Sequence, residues 1–186
     1  MRMAAYAGRF SFDPPDNATR AGVLLVLHEH QGEWHTVLIE RVAHHRDKHS
    51  GQISLPGGKL DPCDENIEAC ALREANEEIG LIKDHVQIIG RLSDLYIPVS
   101  KFLVTPIVGV VPELQTLIAQ PSEVAGIFRV SLKTLFSEQT RQITDLQLSS
   151  GLQLQKVPYF QIEGKVVWGA TAMMLNEFIT ISQDIW

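Results

Sequence analysis

The sequence predicts an α/β protein built as a mixed β-sheet with helices packed on it. Two observations support this. Strand-sized apolar runs, several of them bounded by turn residues, recur at 21–28, 34–41, 86–95, 102–111 and 123–130. Residues 66–79 and 170–182 instead carry apolar side chains at helical spacing. Strands joined by hairpins, with two main helices, bury their apolar faces best as a sheet covered by helices.

In chain order, residues 1–20 read as irregular, with Asp13-Pro14-Pro15-Asp16 as a stiff turn. Residues 21–28 form a buried strand, 29–33 a hairpin loop around Gly32, and 34–41 its partner. The pattern stops over 42–50, which carries His44, His45, Arg46, Lys48 and His49. A short strand over 52–55 ends at Pro56-Gly57-Gly58. The clearest helix is 66–79, where Ile67, Ala71, Ala75 and Ile79 recur at i+4 steps. Asp64 is its expected N-cap, Glu65 suits its first turn, and Gly80 closes it. Strands follow at 86–95 and 102–111, and a strand over 123–130 leads into a short helix at 131–136. Residues 152–162 and 165–168 read as a hairpin turned at Glu163-Gly164, ahead of the closing helix. With no repeats and no Gly/Ser linker, 21–186 reads as one domain behind the N-terminal segment.

Composition narrows the function classes. Of 186 residues, 45% are hydrophobic and 20% charged, as in ordinary globular domains. The longest apolar run, 23–27, is far short of a membrane span, and residues 1–8 lack the apolar stretch of a secretory signal. The two cysteines, Cys63 and Cys70, are no disulfide framework and read as reduced, inert thiols, so a cytoplasmic location is expected. A net charge of −6 argues against nucleic acid as a partner. A small anionic substrate remains compatible, provided a metal or local cations receive it. The oligomeric state is left open, a homodimer among the options.

The chemistry concentrates in Arg73-Glu74-Ala75-Asn76-Glu77-Glu78-Ile79-Gly80-Leu81. Glu74, Glu77 and Glu78 sit at i, i+3 and i+4 on one helix face. Glu77 and Glu78 also lie in the last turn, where the helix dipole disfavours each carboxylate by roughly 0.3–1 kcal/mol. A helix built for stability would carry lysine there. A divalent cation such as Mg²⁺ or Mn²⁺ reverses the sign of these costs. The competing reading is a solvated acidic face softened by an Arg73–Glu77 pair.

These residues decide between the two. Arg73-Glu74-Ala75-x-Glu77-Glu78-x-Gly80-Leu81 resembles the second half of the Nudix box, G-x5-E-x7-R-E-U-x-E-E-x-G-U, with Ala75 smaller than the usual aliphatic U. Pro56-Gly57-Gly58-Lys59 resembles the loop that precedes it. Six residues instead of five separate Gly58 from Glu65, so either Asp64 or Glu65 stands for the first glutamate of the box. That departure is itself similar to one branch, the coenzyme A diphosphatases. The stretch Ser50-Gly51-Gln52-Ile53-Ser54-Leu55-Pro56-Gly57-Gly58-Lys59-Leu60-Asp61-Pro62 looks like theirs, although Leu55 replaces the usual phenylalanine. Upstream, the strand ending at Arg41 and the basic loop are also similar, with Asp47 at an expected basic position flanked by Arg46 and Lys48. Pro121-Ser122-Glu123-Val124 and Val167-Trp168-Gly169-Ala170-Thr171-Ala172 complete the likeness.

The resemblance implies the Nudix fold, an α/β/α sandwich. It implies metal-dependent hydrolysis of a diphosphate bond, narrowly that of CoA or acyl-CoA, giving 3′,5′-ADP and a 4′-phosphopantetheine product. Glu74, Glu77 and Glu78 would hold the metal with a Gly58 carbonyl, and Arg73 would orient the glutamates. Glu123 is a candidate base or further ligand, against the plainer reading of a surface glutamate. Arg41, Arg46, Lys48 and His49 would receive phosphates, with Gly57 and Gly58 allowing close backbone approach. Zinc on His44, His45 and His49 is disfavoured, since the other ligands are hard oxygens. Trp168 could stack on a base but reads more simply as core, as do Met173 and Met174. The rivals are an ADP-ribose or dinucleotide hydrolase of the same fold, and a nucleotide-binding regulatory module with a dead site.

Overall fold

A computed structural model describes residues 14–43, 51–147, 151 and 153–183. The α/β architecture is as expected. A long strand β1 (Thr19–His30) turns at Gln31 and Gly32, both at positive φ, into β2 (Glu33–Arg41). This two-residue turn is tighter than the expected 29–33 loop, and the strands extend to meet it. After the segment 44–50, which lies outside the described residues, come β3 (Ile53–Ser54) and β4 (Gly57–Lys59). Helix α1 (Ile67–Ile79) follows, then β5 (Gln87–Arg91), β6 (Leu95–Ile97) and β7 (Phe102–Val111). The expected single strand over 86–95 is broken. A bulge lies between Ile88 and Gly90, and Asp94 then turns aside to accept from Thr105 Oγ1 at 2.6 Å. The chain continues through β8 (Val124–Ser131), α2 (Leu132–Phe136), β9 (Arg141–Gln147), β10 (Gln153–Ile162), β11 (Lys165–Trp168) and α3 (Gly169–Ser182).

Eight of these strands form a mixed sheet whose spine is β3-β2-β1-β7-β5. β1 runs parallel to β7 over ten residue pairs, from Thr19 opposite Phe102 to His28 opposite Val111. The other edge of β1 is divided: residues 27–30 pair with β2, and residues 21–23 with β4. Along β1 the side chains alternate between two cores. Leu24 and Val26 pack with Ile67, Ala71, Ala75 and Ile79 of α1. Leu25 and Leu27 face a second layer holding Phe160, Val167, Leu175 and Phe178. That second layer is the antiparallel sheet β11-β10-β9 with α3, so helix lies on both sides of the large sheet. β9, largely exposed, lies outside the apolar runs that predict strands.

Candidate active site

The site forms where β4, α1 and the end of β2 meet. Asn66, not Asp64, caps α1, accepting from Ala69 N–H at 2.9 Å, because the Asp64 carboxylate is engaged elsewhere. Arg73 closes on it as a fork, Nε to Oδ1 at 2.8 Å and Nη2 to Oδ2 at 2.9 Å. Arg73 also meets Glu74 at 3.0 Å and Glu77 at 2.9 Å, and donates to the Lys59 carbonyl at 3.1 Å. The guanidinium holds the Asp64 carboxyl down at about 2. Of the two candidates for the first acidic position of the motif, Asp64 is the one in this fork.

The stripe that buries α1 carries a carboxylate at its end. Glu78 Oε2 accepts from Gly57 N–H at 2.8 Å, and Oε1 lies 3.6 Å from Arg41 Nη1, with the side chain only 2% exposed. Burial pushes this carboxyl up to about 7, and the negative charges of Glu74 and Glu123 push the same way, while the Gly57 N–H and Arg41 oppose. Burial likewise raises Glu74 above the usual carboxylate range, with Arg73 opposing. Gly57 is required sterically, and Gly58 leaves the room that the Glu74 carboxylate occupies. Gly57 has φ 150°, and a Cβ there would stand 2.4 Å from the Gly22 carbonyl oxygen. A Cβ on Gly58 would stand 2.5 Å from Glu74 Cδ. The Gly58 carbonyl, expected at the metal, accepts from the Cys70 thiol at 3.5 Å.

Glu123 is exposed yet belongs to this neighbourhood, since its charge acts on both Glu74 and Glu78. Its position is set by a strap, residues 112–120, that caps the end of α1. Gln120 N donates to the Glu78 carbonyl at 2.8 Å, Ile118 N to that of Ile79 at 3.0 Å, and Gln115 Nε2 to that of Gly80 at 3.0 Å. Nothing in the sequence signals this strap. Glu123 N then donates back to Gln120 O at 3.0 Å, and its own carbonyl accepts from Val42 N at 2.8 Å. Glu77, 54% exposed, shares Arg73 Nη1 with Glu74, and its charge helps to raise Glu74. Arg46, Lys48 and His49 lie outside the described residues.

Among the described residues no three His, Cys, Asp or Glu side chains form a metal cage by themselves. Mg²⁺ does not ask for one: it takes one or two carboxylates, keeps waters, and draws the rest from substrate phosphate. Two carboxyls held at raised proton affinity by burial, and by neighbouring carboxylates (Glu77 and Glu123 on Glu74, Glu74 and Glu123 on Glu78), suit such an ion.

Comparison with known proteins agrees. The NUDIX domain model matches residues 18–147, and the chain belongs to the Nudix family. A Nudix hydrolase NudL of Photorhabdus laumondii, itself described as uncharacterized, is 36% identical over 142 residues, spanning 76% of this chain and 74% of that one. The NudL of Yersinia pestis strain Pestoides F is 36% identical over 141 residues, 76% of this chain and 69% of that one. Among solved structures, a Nudix hydrolase of M. smegmatis, RenU, superposes with TM-score 0.60 at 14% identity, covering 91% of this chain and 88% of that one. An Ap4A hydrolase of C. elegans gives 0.55 at 12% identity, covering 89% and 98%. The fold is the Nudix fold, and the protein is a Nudix hydrolase, an enzyme of diphosphate-containing substrates. Such hydrolases generally use divalent ions such as Mg²⁺ or Mn²⁺. Among the described residues no helix is long and apolar enough to cross a membrane.

Proposed function

We propose that this hydrolase cleaves the diphosphate of coenzyme A or an acyl-CoA into 3′,5′-ADP and the corresponding 4′-phosphopantetheine. One observation carries the reading furthest: both ends of the cationic segment are fastened beside the buried carboxylate. Arg41 reaches Glu78 at 3.6 Å, Arg41 N donates to Gln52 O at 3.0 Å, and Val42 N donates to Glu123 O. The described residues on either side of Arg46, Lys48 and His49 therefore stand at the site. CoA carries a 3′-phosphate in addition to its diphosphate, and charge-assisted contacts suit such a group.

In this reading Glu74 and Glu78 would hold the cation, with Glu77 and Glu123 as further carboxylates of the cluster and Gly57 and Gly58 giving the clearance. A bound Mg²⁺ or Mn²⁺ would neutralise diphosphate charge and acidify water. Arg41 and the loop cations orient the phosphates, and Arg73 fixes Glu74. A water oxygen bonds to one phosphorus, a carboxylate of the cluster takes its proton, and the bridging P–O bond breaks with its electrons leaving on the other phosphate. No covalent enzyme intermediate is required.

The test is a panel of CoA, acetyl-CoA, dephospho-CoA, ADP-ribose and diadenosine compounds with Mg²⁺ and Mn²⁺, products resolved by chromatography. CoA giving 3′,5′-ADP, with dephospho-CoA much slower, is the expected result. A clear preference for ADP-ribose or a dinucleotide overturns the substrate assignment and leaves the metal site standing.

A further inference from the structure

We infer that Cys70 is a positioning residue that sets the metal affinity of the carboxylate pair, an inference resting on the metal-dependent reading above. Three consecutive residues of β4 are each held by one side chain of α1. The Gly57 N–H donates to Glu78 at 2.8 Å, the Gly58 carbonyl accepts from the Cys70 thiol at 3.5 Å, and the Lys59 carbonyl accepts from Arg73 at 3.1 Å. Two of these pins are charged groups of the site itself. The third is a fully buried thiol that the chemistry does not use.

Its consequence runs through Gly58. The Glu74 carboxylate lies so close over Gly58 that a Cβ would stand 2.5 Å from its Cδ. The spacing between Gly58 and α1 therefore decides where that carboxylate rests. Cys70 lies one turn before Glu74 and spans that spacing from below. Arg73 Nη2 lies 3.9 Å from the same sulfur, so the thiol touches both the loop and the group that orients Glu74. Without the donor, the Gly58 carbonyl between the two remaining pins loses its tie to the helix, and the wall against Glu74 shifts. Groups that orient metal ligands in this way typically change affinity about 10–100-fold when removed.

The experiment measures Mn²⁺ affinity by the electron paramagnetic resonance of free Mn²⁺, with thermal unfolding alongside. The proteins are wild type, Cys70→Ala, Cys70→Ser and Val111→Ala. Val111 is equally buried in the same core but pairs with His28, far along β1 from β4. Cys70→Ala is expected to bind Mn²⁺ about tenfold more weakly. Cys70→Ser restores a donor and should recover most of that loss. Val111→Ala should unfold at lower temperature yet keep its affinity. Should Cys70→Ala not fold, Cys70→Val, which keeps the bulk and removes the donor, takes its place. Wild-type affinity in the donor-less variant, or an equal loss in Val111→Ala, overturns the inference and makes Cys70 packing alone. A folded wild type that binds no Mn²⁺ overturns the metal-dependent reading, and this inference falls with it.

Discussion

Arg73 grips Asp64 through two parallel bonds of 2.8 and 2.9 Å, and by the same guanidinium reaches Glu74, Glu77 and the Lys59 carbonyl. The Asp64 side chain is 3% exposed and that of Arg73 23%. Asp64→Ala therefore leaves a partly buried cation short of its main partner. Breaking a buried pair costs about 3–5 kcal/mol; the other contacts of Arg73 reduce this, so a loss of about 2 kcal/mol is expected from urea unfolding. Glu65→Gln should stay within about 0.5 kcal/mol of wild type. Equal effects at the two positions would remove Asp64 from its assigned place.

Glu78 is built for function at the expense of stability. Its folded pKa, about 7, lies above the ordinary value of 4.5. A carboxyl so raised favours folding while protonated, so the metal-free protein should lose stability as pH rises from 4.5 to 7. The full effect is on the order of 3 kcal/mol. Glu78→Gln should remove most of this slope, leaving the part due to Glu74, unfold later than wild type at pH 7.5 without metal, and hydrolyse substrate at least about a hundredfold more slowly. Adding Mg²⁺ should stabilise wild type and leave the variant unchanged. Chelated and Mg²⁺-loaded unfolding curves at several pH values check both signs.

His28 works in the opposite direction. It is 1% exposed, stacks on His35 with centroids 5.6 Å apart, and its Nε2 has no hydrogen-bond partner among the described residues. Burial lowers its pKa to about 4, helped by the nearby charges of His35, Arg129 and His30, against the Glu29 carbonyl. A histidine so lowered resists protonation in the fold, so stability falls as pH drops from 6.5 towards 4. The two slopes overlap and partly cancel in wild type. In a Glu78→Gln background the main opposing slope is gone, Glu74 alone still acting against it, so the acid-side loss should stand out, and His28→Leu should remove it. Persistence of that loss in the double variant would assign it to another group.

The sequence made legible what periodicity governs. β7 matches its expected bounds, and α1 loses only its first residue, because 3.6- and 2-residue spacings of apolar side chains are intrinsic to those segments. β4 was not legible: Gly-Gly-Lys has no strand propensity and becomes a strand because β1 offers it an edge. The cap moved from Asp64 to Asn66 because a tertiary partner, Arg73, outcompetes a local one. The strap over Glu78 escaped for the same reason, since its donors to α1 are backbone N–H groups of Gln120 and Ile118 that any sequence carries. Of the acidic face, Glu74 acts on the buried Glu78, while the more exposed Glu77 is tied to Glu74 through their shared Arg73 Nη1.

Clearance at Gly58 gives a sharper test of the site than charge removal. Gly58→Ala forces a methyl within 2.5 Å of the Glu74 carboxyl, whereas the same change at Gly90 meets nothing within 4 Å. The Gly58 variant should fold, lose Mn²⁺ affinity and slow turnover by about a hundredfold, as displaced metal ligands do. Gly90→Ala should behave as wild type in both assays.

The substrate assignment turns on the loop cations. If Arg46 and Lys48 read the 3′-phosphate, Arg46→Ala with Lys48→Ala should raise the KM for CoA about tenfold, equivalent to 1.4 kcal/mol. The KM for dephospho-CoA, which lacks that phosphate, should hardly move, and kcat for both should persist because Glu74 and Glu78 are untouched. The difference between the two substrates should also shrink in added salt, since exposed charges are screened over about 10 Å at 0.1 M. A KM rise shared by both substrates would place these cations on the diphosphate instead, and an unchanged KM for CoA would take the loop out of substrate recognition altogether.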